Sequence, residues 1–269
     1  MPGPATIRYG GNTSCVEVRG PGDHLLVLDA GTGIRSLGRS LDSCPTRIDI
    51  LLSHLHLDHI EGLGFFDPLF DERCEVHVWG PGLGDRPLLE GLAAYFGPPI
   101  FPVPIHRVPA SLDVREVPEG PFEVGPFRVL AERVEHPGPT LGYRVEGEGA
   151  ALAYISDHEP AREPGLAAAD PTAVSGARLA AGADLLVHDA QYTEHEYPER
   201  AGWGHSSVAH AVAFARLARA RRLLLFHHDP GHADEDLDAL AVRARELWGA
   251  GGDGVLVAAE GMEIEVAGP

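Results

Sequence analysis

SHLHLDHIEG, residues 53–62, is the stretch on which the reading of this chain turns. The IDILL before it is apolar and β-branched, as a buried strand is. His54, His56, Asp58 and His59 then fall within six positions, with Gly62 closing the stretch. Imidazoles at i and i+2 project from the same side of an extended segment. Asp58 and His59 follow at a bend, where they face a second point a few ångströms away. One ion rarely takes four protein ligands from so short a piece, so the spacing predicts two ions sharing the loop. Neutral imidazole and carboxylate suit zinc, manganese or iron better than calcium or magnesium. A polar loop that happens to be rich in histidine is the plain alternative, but nothing in a core or a solvated loop calls for this order of residues.

Working outward, short apolar runs end repeatedly in histidine or aspartate. VLDAG ends near Asp29, IDILLSH at His54, RVEH at His136, AYISD at Asp157 and LLLFH at His227, while LLVHDA carries His188 and Asp189. In open α/β sheets, binding sites gather beyond strand ends, so this repetition predicts one site assembled from across the chain. Asp157, after an apolar run and before His158, reads as a ligand, with a turn-forming aspartate as the plain alternative. LLLFHHDP offers two histidines and points to His227, the first polar residue after the run. His106, His158, His195, His210 and His232 read as surface or packing residues. His188, beside Asp189, reads as support behind the site.

Three helices are expected between the strands. They are residues 85–96, the segment from His205 through the arginines that follow Leu217, with Ser206 or Ser207 as N-cap, and DEDLDALAVRARELW. In the last, Leu237, Leu240, Ala241, Ala244, Leu247 and Trp248 recur at helical spacing and should pack on a sheet. GPPIFPVPI, with four prolines, reads as an ordered loop. Phe65, Phe66, Phe70 and Phe101 read as core residues, with a pocket border as the alternative.

The whole chain of 269 residues, with no repeat or long linker, is expected to form a single domain, residues 1–269. Its net charge is −19 and all 21 basic residues are arginine, a balance that argues against long nucleic acids as partners. No run of about 18 apolar residues predicts a membrane helix. MPGPATIRYGG has no secretory character, so a cytoplasmic protein is expected. Cys15, Cys44 and Cys74 fit no disulfide or zinc-ribbon spacing and read as reduced thiols. The sequence leaves a homodimer open.

HLHLDH resembles the H-x-H-x-D-H signature of the metallo-β-lactamase superfamily of binuclear hydrolases. The resemblance implies an α/β fold, a four-layer αββα sandwich of two mixed β-sheets with helices on the outer faces. It implies His54, His56 and His136 on one metal, Asp58, His59 and His227 on the other, and Asp157 bridging. Zinc is the default for so many imidazoles, with manganese and iron as competitors. Two such ions about 3.5–4 Å apart acidify water and neutralise developing charge, and Asp58 would orient that water. DLLVHDAQYT (184–193) and GWGHSS (202–207) resemble the paired segments of the ribonuclease Z and phosphodiesterase branch. There, a strand-end carboxylate, here Asp189, orients a histidine, here His205, that serves the leaving group. A histidine near a helix start with no catalytic task is the plain alternative. Two departures stand out. GGNTSCVEV begins almost at once, where a strand usually comes first, so a sheet edge is expected to be exposed. His136 and Asp157 are only 21 positions apart, too close to hold the long tRNA-binding arm of ribonuclease Z. The expectation is therefore a small, cyclic-nucleotide-like phosphodiester as substrate. A glyoxalase II-like thioesterase or lactonase and a non-catalytic metal-binding protein are the alternatives. A flavodiiron-type reductase would normally carry glutamate at position 56 and need a flavin domain.

Overall fold

The structure, a computed structural model, describes residues 2–118, 120–160, 166, 169–249 and 252–268. The chain divides into two compact units, Thr13–Val129 and Met1–Asn12 with Leu130–Pro269. The boundary falls inside a strand, so the backbone passes from one unit to the other without a linker.

In the first of these, β1 (Val16–Arg19), β2 (His24–Leu28), β3 (Arg47–Leu51), β4 (Glu75–Gly80) and β5 (Ser111–Glu116) form a five-stranded sheet in chain order. β1 is antiparallel to β2 and the other pairs are parallel. β1 is thus an end strand of this sheet. α1 (Gly33–Ser40) and α3 (Leu88–Tyr95) pack on one face, where Ile34, Leu88 and Leu92 meet Ile48, Ile50, Val76 and Val78. Alternation sends Asp49 of β3 to the other face. There its buried carboxylate takes hydrogen bonds from Arg47 Nε (2.6 Å), Trp79 Nε1 (2.7 Å) and His24 Nε2 (2.8 Å).

The second sheet has seven strands, in the order β12-β11-β10-β9-β8-β7-β6. They are β6 (Pro121–Val124), β7 (Phe127–Arg133), β8 (Leu141–Gly147), β9 (Ala150–Ile155), β10 (Leu185–Asp189), β11 (Leu223–Phe226) and β12 (Val255–Val257). β8 and β9 form an antiparallel hairpin through Glu148 and Gly149, both left-handed as a tight hairpin turn requires. β9 to β12 pair in parallel. Their runs of consecutively buried residues, such as all five of β10, suit strands covered on both faces. After the single-turn α4 (Ala177–Ala180) and α5 (Tyr197–Arg200), α6 (Val208–Leu217) and α7 (Asp234–Trp248) supply Val208, Val212, Leu237, Leu240 and Ala244 to the core on this sheet. The α7 stripe is the one its periodicity predicts. Ser207 caps α6 by accepting from His210 N, while the Ser206 hydroxyl donates to His158 O instead. The helix stops short of its trailing arginines because Arg219 is left-handed.

Two expectations are corrected. Cys44 and Cys74 are joined in a disulfide, with Cα atoms 5.6 Å apart across 30 residues, so only Cys15 is a free thiol. Their spacing matches no framework because the fold itself brings them together. Phe65 and Phe70 are exposed, whereas Phe66 is fully buried, since the chain turns through short 3₁₀ segments here rather than running as a strand. No described helix is long and apolar enough to cross a membrane.

Candidate metal centre

The histidine loop leaves the end of β3 and enters the short α2 (Leu57–Ile60). His56, extended at φ −64°, ψ 150°, is the residue before that helix, which puts Asp58 in its first turn. The rings of His54 and His56 lie 4.3 Å apart, as do those of His54 and His59. Asp58 Oδ2 is 3.3 Å from His59 Nε2. The structure therefore gathers all four loop residues in one place.

What orients them is Asp29, just beyond β2. It is fully buried, left-handed at φ 61°, and accepts from Ser53 N (2.6 Å), Ser53 Oγ (2.8 Å) and His59 Nδ1 (2.8 Å). Having given its one proton to Asp29, the Ser53 hydroxyl can only accept from His54 Nδ1, 2.9 Å away. Both buried rings thus carry hydrogen on Nδ1 and present a lone pair on Nε2, the form that binds a metal. The close approach of loop to strand is possible only without a side chain at Gly62, where a Cβ would stand 2.0 Å from Gly31 O.

In the unit that contains Leu130–Pro269, Asp157 lies just past β9 with its side chain buried. Its Oδ2 is 3.4 Å from His227 Nε2 and 3.8 Å from His136 Nε2, so one carboxylate faces two imidazoles. His136 is fixed by an Nδ1 donation to Gly204 O at 2.8 Å. His227, immediately after β11, is aimed by a left-handed backbone, φ 56°, which β-strand continuation would not allow. The side-chain amide of Gln191 lies 3.5 Å from its Nδ1.

His205, in the loop before α6, donates from Nδ1 to Asp189 Oδ2 at 2.7 Å. Asp189 ends β10 and accepts three backbone N–H groups as well, from His158, Gln191 and Ser206. Four donors hold this buried carboxylate in one orientation, and through it the His205 ring. That ring stacks on His227 at 5.0 Å and 12°. Ligand atoms of His136, Asp157 and His205 lie within 4.8 Å of one another, as do those of Asp189, His205 and His227.

The donors fit a divalent ion. Carboxylate and imidazole atoms 3.4–3.8 Å apart leave room for a metal about 2.0–2.2 Å from each, and His54, His59, His136 and His205 each have Nδ1 engaged, which leaves Nε2 as the ligand nitrogen.

Some neighbouring histidines do other work. His228 gives its Nε2 hydrogen to Ala258 O at 3.1 Å, and burial pushes it down to about 4. His188 donates to the Asp189 carbonyl (2.7 Å), and its other nitrogen lies 3.0 Å from His158 Nδ1. Burial pushes His188 down to about 4 and His158 well down, and the neutral pair packs on Phe214. Sequence reading passes over Ser53, Gln191 and Glu159 as site residues, and counts Asp29 among the strand ends without giving it a role. For Asp29 a signal existed, its place at the end of VLDAG. For Glu159, two residues past Asp157, none did.

Residues 24–228 match the family described as the beta-lactamase superfamily domain. Ribonuclease Z of Streptococcus suis (strain 98HAH33) is 26% identical over 267 residues, covering 82% of this chain and 84% of that protein. In structure, the short form of human tRNase Z aligns with a TM-score of 0.67 at 20% identity, covering 99% of this chain and 96% of its own. A diphosphatase of the PhnP family aligns at 0.65 and 18% identity, covering 96% and 86%. These two likenesses establish the fold, two mixed sheets with helices. The span matched by the family runs from β2 to His228 and takes in the histidine loop, His136, Asp157, Asp189, His205 and His227. The chain belongs to the metallo-β-lactamase superfamily, as one of its metal-dependent hydrolases.

Proposed function

We propose that the protein is a binuclear phosphodiesterase for a small, cyclic-nucleotide-like phosphodiester, with its two units working as one hydrolase domain. His54, His56 and His136 would hold one ion and Asp58, His59 and His227 the other, with Asp157 shared. When bound, such a pair acidifies a water and neutralises charge on the phosphoryl oxygens, with zinc the expected metal. The residues of the chain do the rest. Asp58 accepts a hydrogen bond from the attacking water and aligns it. Asp189 holds His205 by Nδ1, so that the protonated ring presents Nε2–H to the leaving oxygen. As the water oxygen, having lost a proton to solvent, bonds to phosphorus and the ester P–O bond breaks, the His205 proton passes to the departing alkoxide.

The observation that carries this reading is the 2.7 Å pairing of His205 with Asp189, whose ring stands 4.0 Å from the Asp157 carboxylate. A carbonyl-cleaving thioesterase has less need of an acid for its leaving group. A second reading, an RNA end as substrate, is favoured by the ribonuclease Z name of the Streptococcus suis relative. Against it stand the net charge of −19 and the interval from 137 to 156, which is taken up by the β8–β9 hairpin. We place the protein in the cytoplasm as a proposal that the Cys44–Cys74 bond puts to the test.

Protein of measured metal content, assayed on bis(p-nitrophenyl) phosphate, 2′,3′-cyclic nucleotides, a cyclic dinucleotide, a thioester, a lactone and a short RNA with a 3′ extension, tests the reading. Turnover of the small diesters with the RNA untouched supports it. Turnover confined to the thioester, to the RNA or to nothing removes it.

A further inference from the structure

Glu159 is buried beside the site. Its carboxylate accepts from the Tyr197 hydroxyl at 2.7 Å, from Gly202 N at 2.8 and 3.0 Å, and from Gly204 N at 3.0 Å. A buried carboxylate satisfied in this way is a rigid anchor. What it anchors is the turn Gly202-Trp203-Gly204, whose two glycines are left-handed at φ 90° and 91°. The Gly204 carbonyl is the group that orients His136, and a Cβ at Gly204 would stand 2.3 Å from Pro137. Beneath the turn is a cavity of about 110 Å³ lined by Glu135, His136, Pro137, Glu159 and Gly204. His205 is the next residue of the chain.

Between the two clamped glycines, Trp203 is 61% exposed. Its own N–H donates to Arg200 O at 3.0 Å, so its backbone is held on both sides. Large aromatics left in water on a fixed backbone are costly to solvate and lose little freedom on binding a flat partner. Two residues from His205, such a side chain offers a flat apolar face on which a planar group can stack.

We propose that Trp203 is the specificity-determining residue of this site, a stacking platform for the planar base of a nucleoside phosphodiester, held in place by Glu159. The proposal rests on the phosphodiesterase reading and narrows it to substrates that carry a base.

The test compares two esters that release the same product, the p-nitrophenyl ester of thymidine 5′-phosphate and methyl p-nitrophenyl phosphate, on metal-quantified protein. In wild type the base-bearing ester should be preferred through KM. Trp203→Ala should cut that preference roughly tenfold, within the range of base–aromatic stacking. Trp203→Phe should keep most of it, and Glu159→Gln should lose part of it by loosening the turn. A readout without turnover accompanies these. Adenosine 5′-monophosphate should quench tryptophan fluorescence in wild type but not in Trp203→Ala, and ribose 5-phosphate should quench neither. Equal preference and equal quenching in wild type and Trp203→Ala overturn the proposal and leave the phosphodiesterase reading standing, as does quenching by the sugar phosphate alone. Failure of wild type to cleave either ester overturns the broader reading, and the nucleotide quench then decides separately whether Trp203 receives a base.

Discussion

His59 donates its Nδ1 hydrogen to Asp29 Oδ2 across 2.8 Å, and neither side chain has any solvent exposure. The same carboxylate holds Ser53 by two further bonds, and Ser53 in turn fixes His54. A residue that touches no metal thereby sets the protonation of two candidate ligands. Removing such a partner ordinarily weakens metal binding about 10–100-fold. Asp29→Ala should do so in a zinc competition against a chromophoric chelator. Asp29→Asn, which tolerates the left-handed backbone, should fold but bind less tightly than wild type. Unchanged zinc affinity in both variants would count against the role assigned to Asp29.

Asp157 faces both His136 and His227, so its loss should uncouple the metal from stability. A ligand that binds only the folded state at about 1,000 times its Kd adds roughly 4 kcal/mol. Wild-type protein should lose stability of that order on treatment with a strong chelator, read by thermal or urea unfolding. Asp157→Ala should respond far less. An equal response in the two proteins would place the metal elsewhere.

His205 has two chemically distinct fates, as proton donor or as an additional ligand, and its distances alone admit both. As a donor, its replacement by alanine should lower kcat about 10²–10⁴-fold while elemental analysis finds the metal content of wild type. Asp189→Asn should follow the same pattern by misorienting the ring. Metal lost in proportion to activity would make His205 a ligand and end its assignment as the acid.

Acid stability should depend on Asp49. Burial pushes its carboxyl up, but hydrogen bonds from His24, Arg47 and Trp79 outweigh that and hold it well below the usual range. Its folded value lies below the unfolded one of about 3.9. The stabilisation is therefore complete above about pH 4 and is lost as pH falls through the folded value. Asp49→Ala should cost toward the lower end of roughly 3–5 kcal/mol at neutral pH, because Arg47 is still a third exposed and can rehydrate. The gap between variant and wild type in urea titrations should narrow below pH 4. A gap that widened on acidification would contradict the sign.

The Cys44–Cys74 bond closes a loop of 30 residues, for which chain entropy predicts roughly 3–4 kcal/mol. Cys44→Ser should lower stability by that order in oxidising buffer and by little in excess reductant. Mass spectrometry of alkylated protein from cell extract would report whether the bond exists in the cell. Full alkylation at three cysteines would return the protein to the reduced state that its spacing suggests.

The parts of the fold and site legible in the sequence are those written locally. IDILL before His54 announces a strand because burial and branching act residue by residue, and the α7 stripe announces its sheet-facing side for the same reason. The loop motif likewise lies within one decade of residues. Asp29 is harder to read because its partners are 24 and 30 positions away, and Glu159 because its meaning comes from a turn 43 to 45 positions later. The left-handed backbone at His227 cannot be read from LLLFHHDP, since histidine tolerates that conformation better than most residues but does not require it. Phe65 and Phe70 illustrate the reverse error, in which apolar character alone suggests burial that short 3₁₀ turns do not provide.

Thr13–Val129 is one continuous span, whereas the other unit combines Met1–Asn12 with everything after Leu130. The backbone N–H groups of Gly11 and Asn12 are received by Glu260, and that of Arg8 by Asp234. On the ribosome, the continuous unit can therefore be complete while the opening dozen residues still lack their docking partners. Residues made before Thr13 are thus seated only after residues made more than 200 positions later. Until synthesis passes position 260, Gly11 and Asn12 lack the carboxylate that receives them.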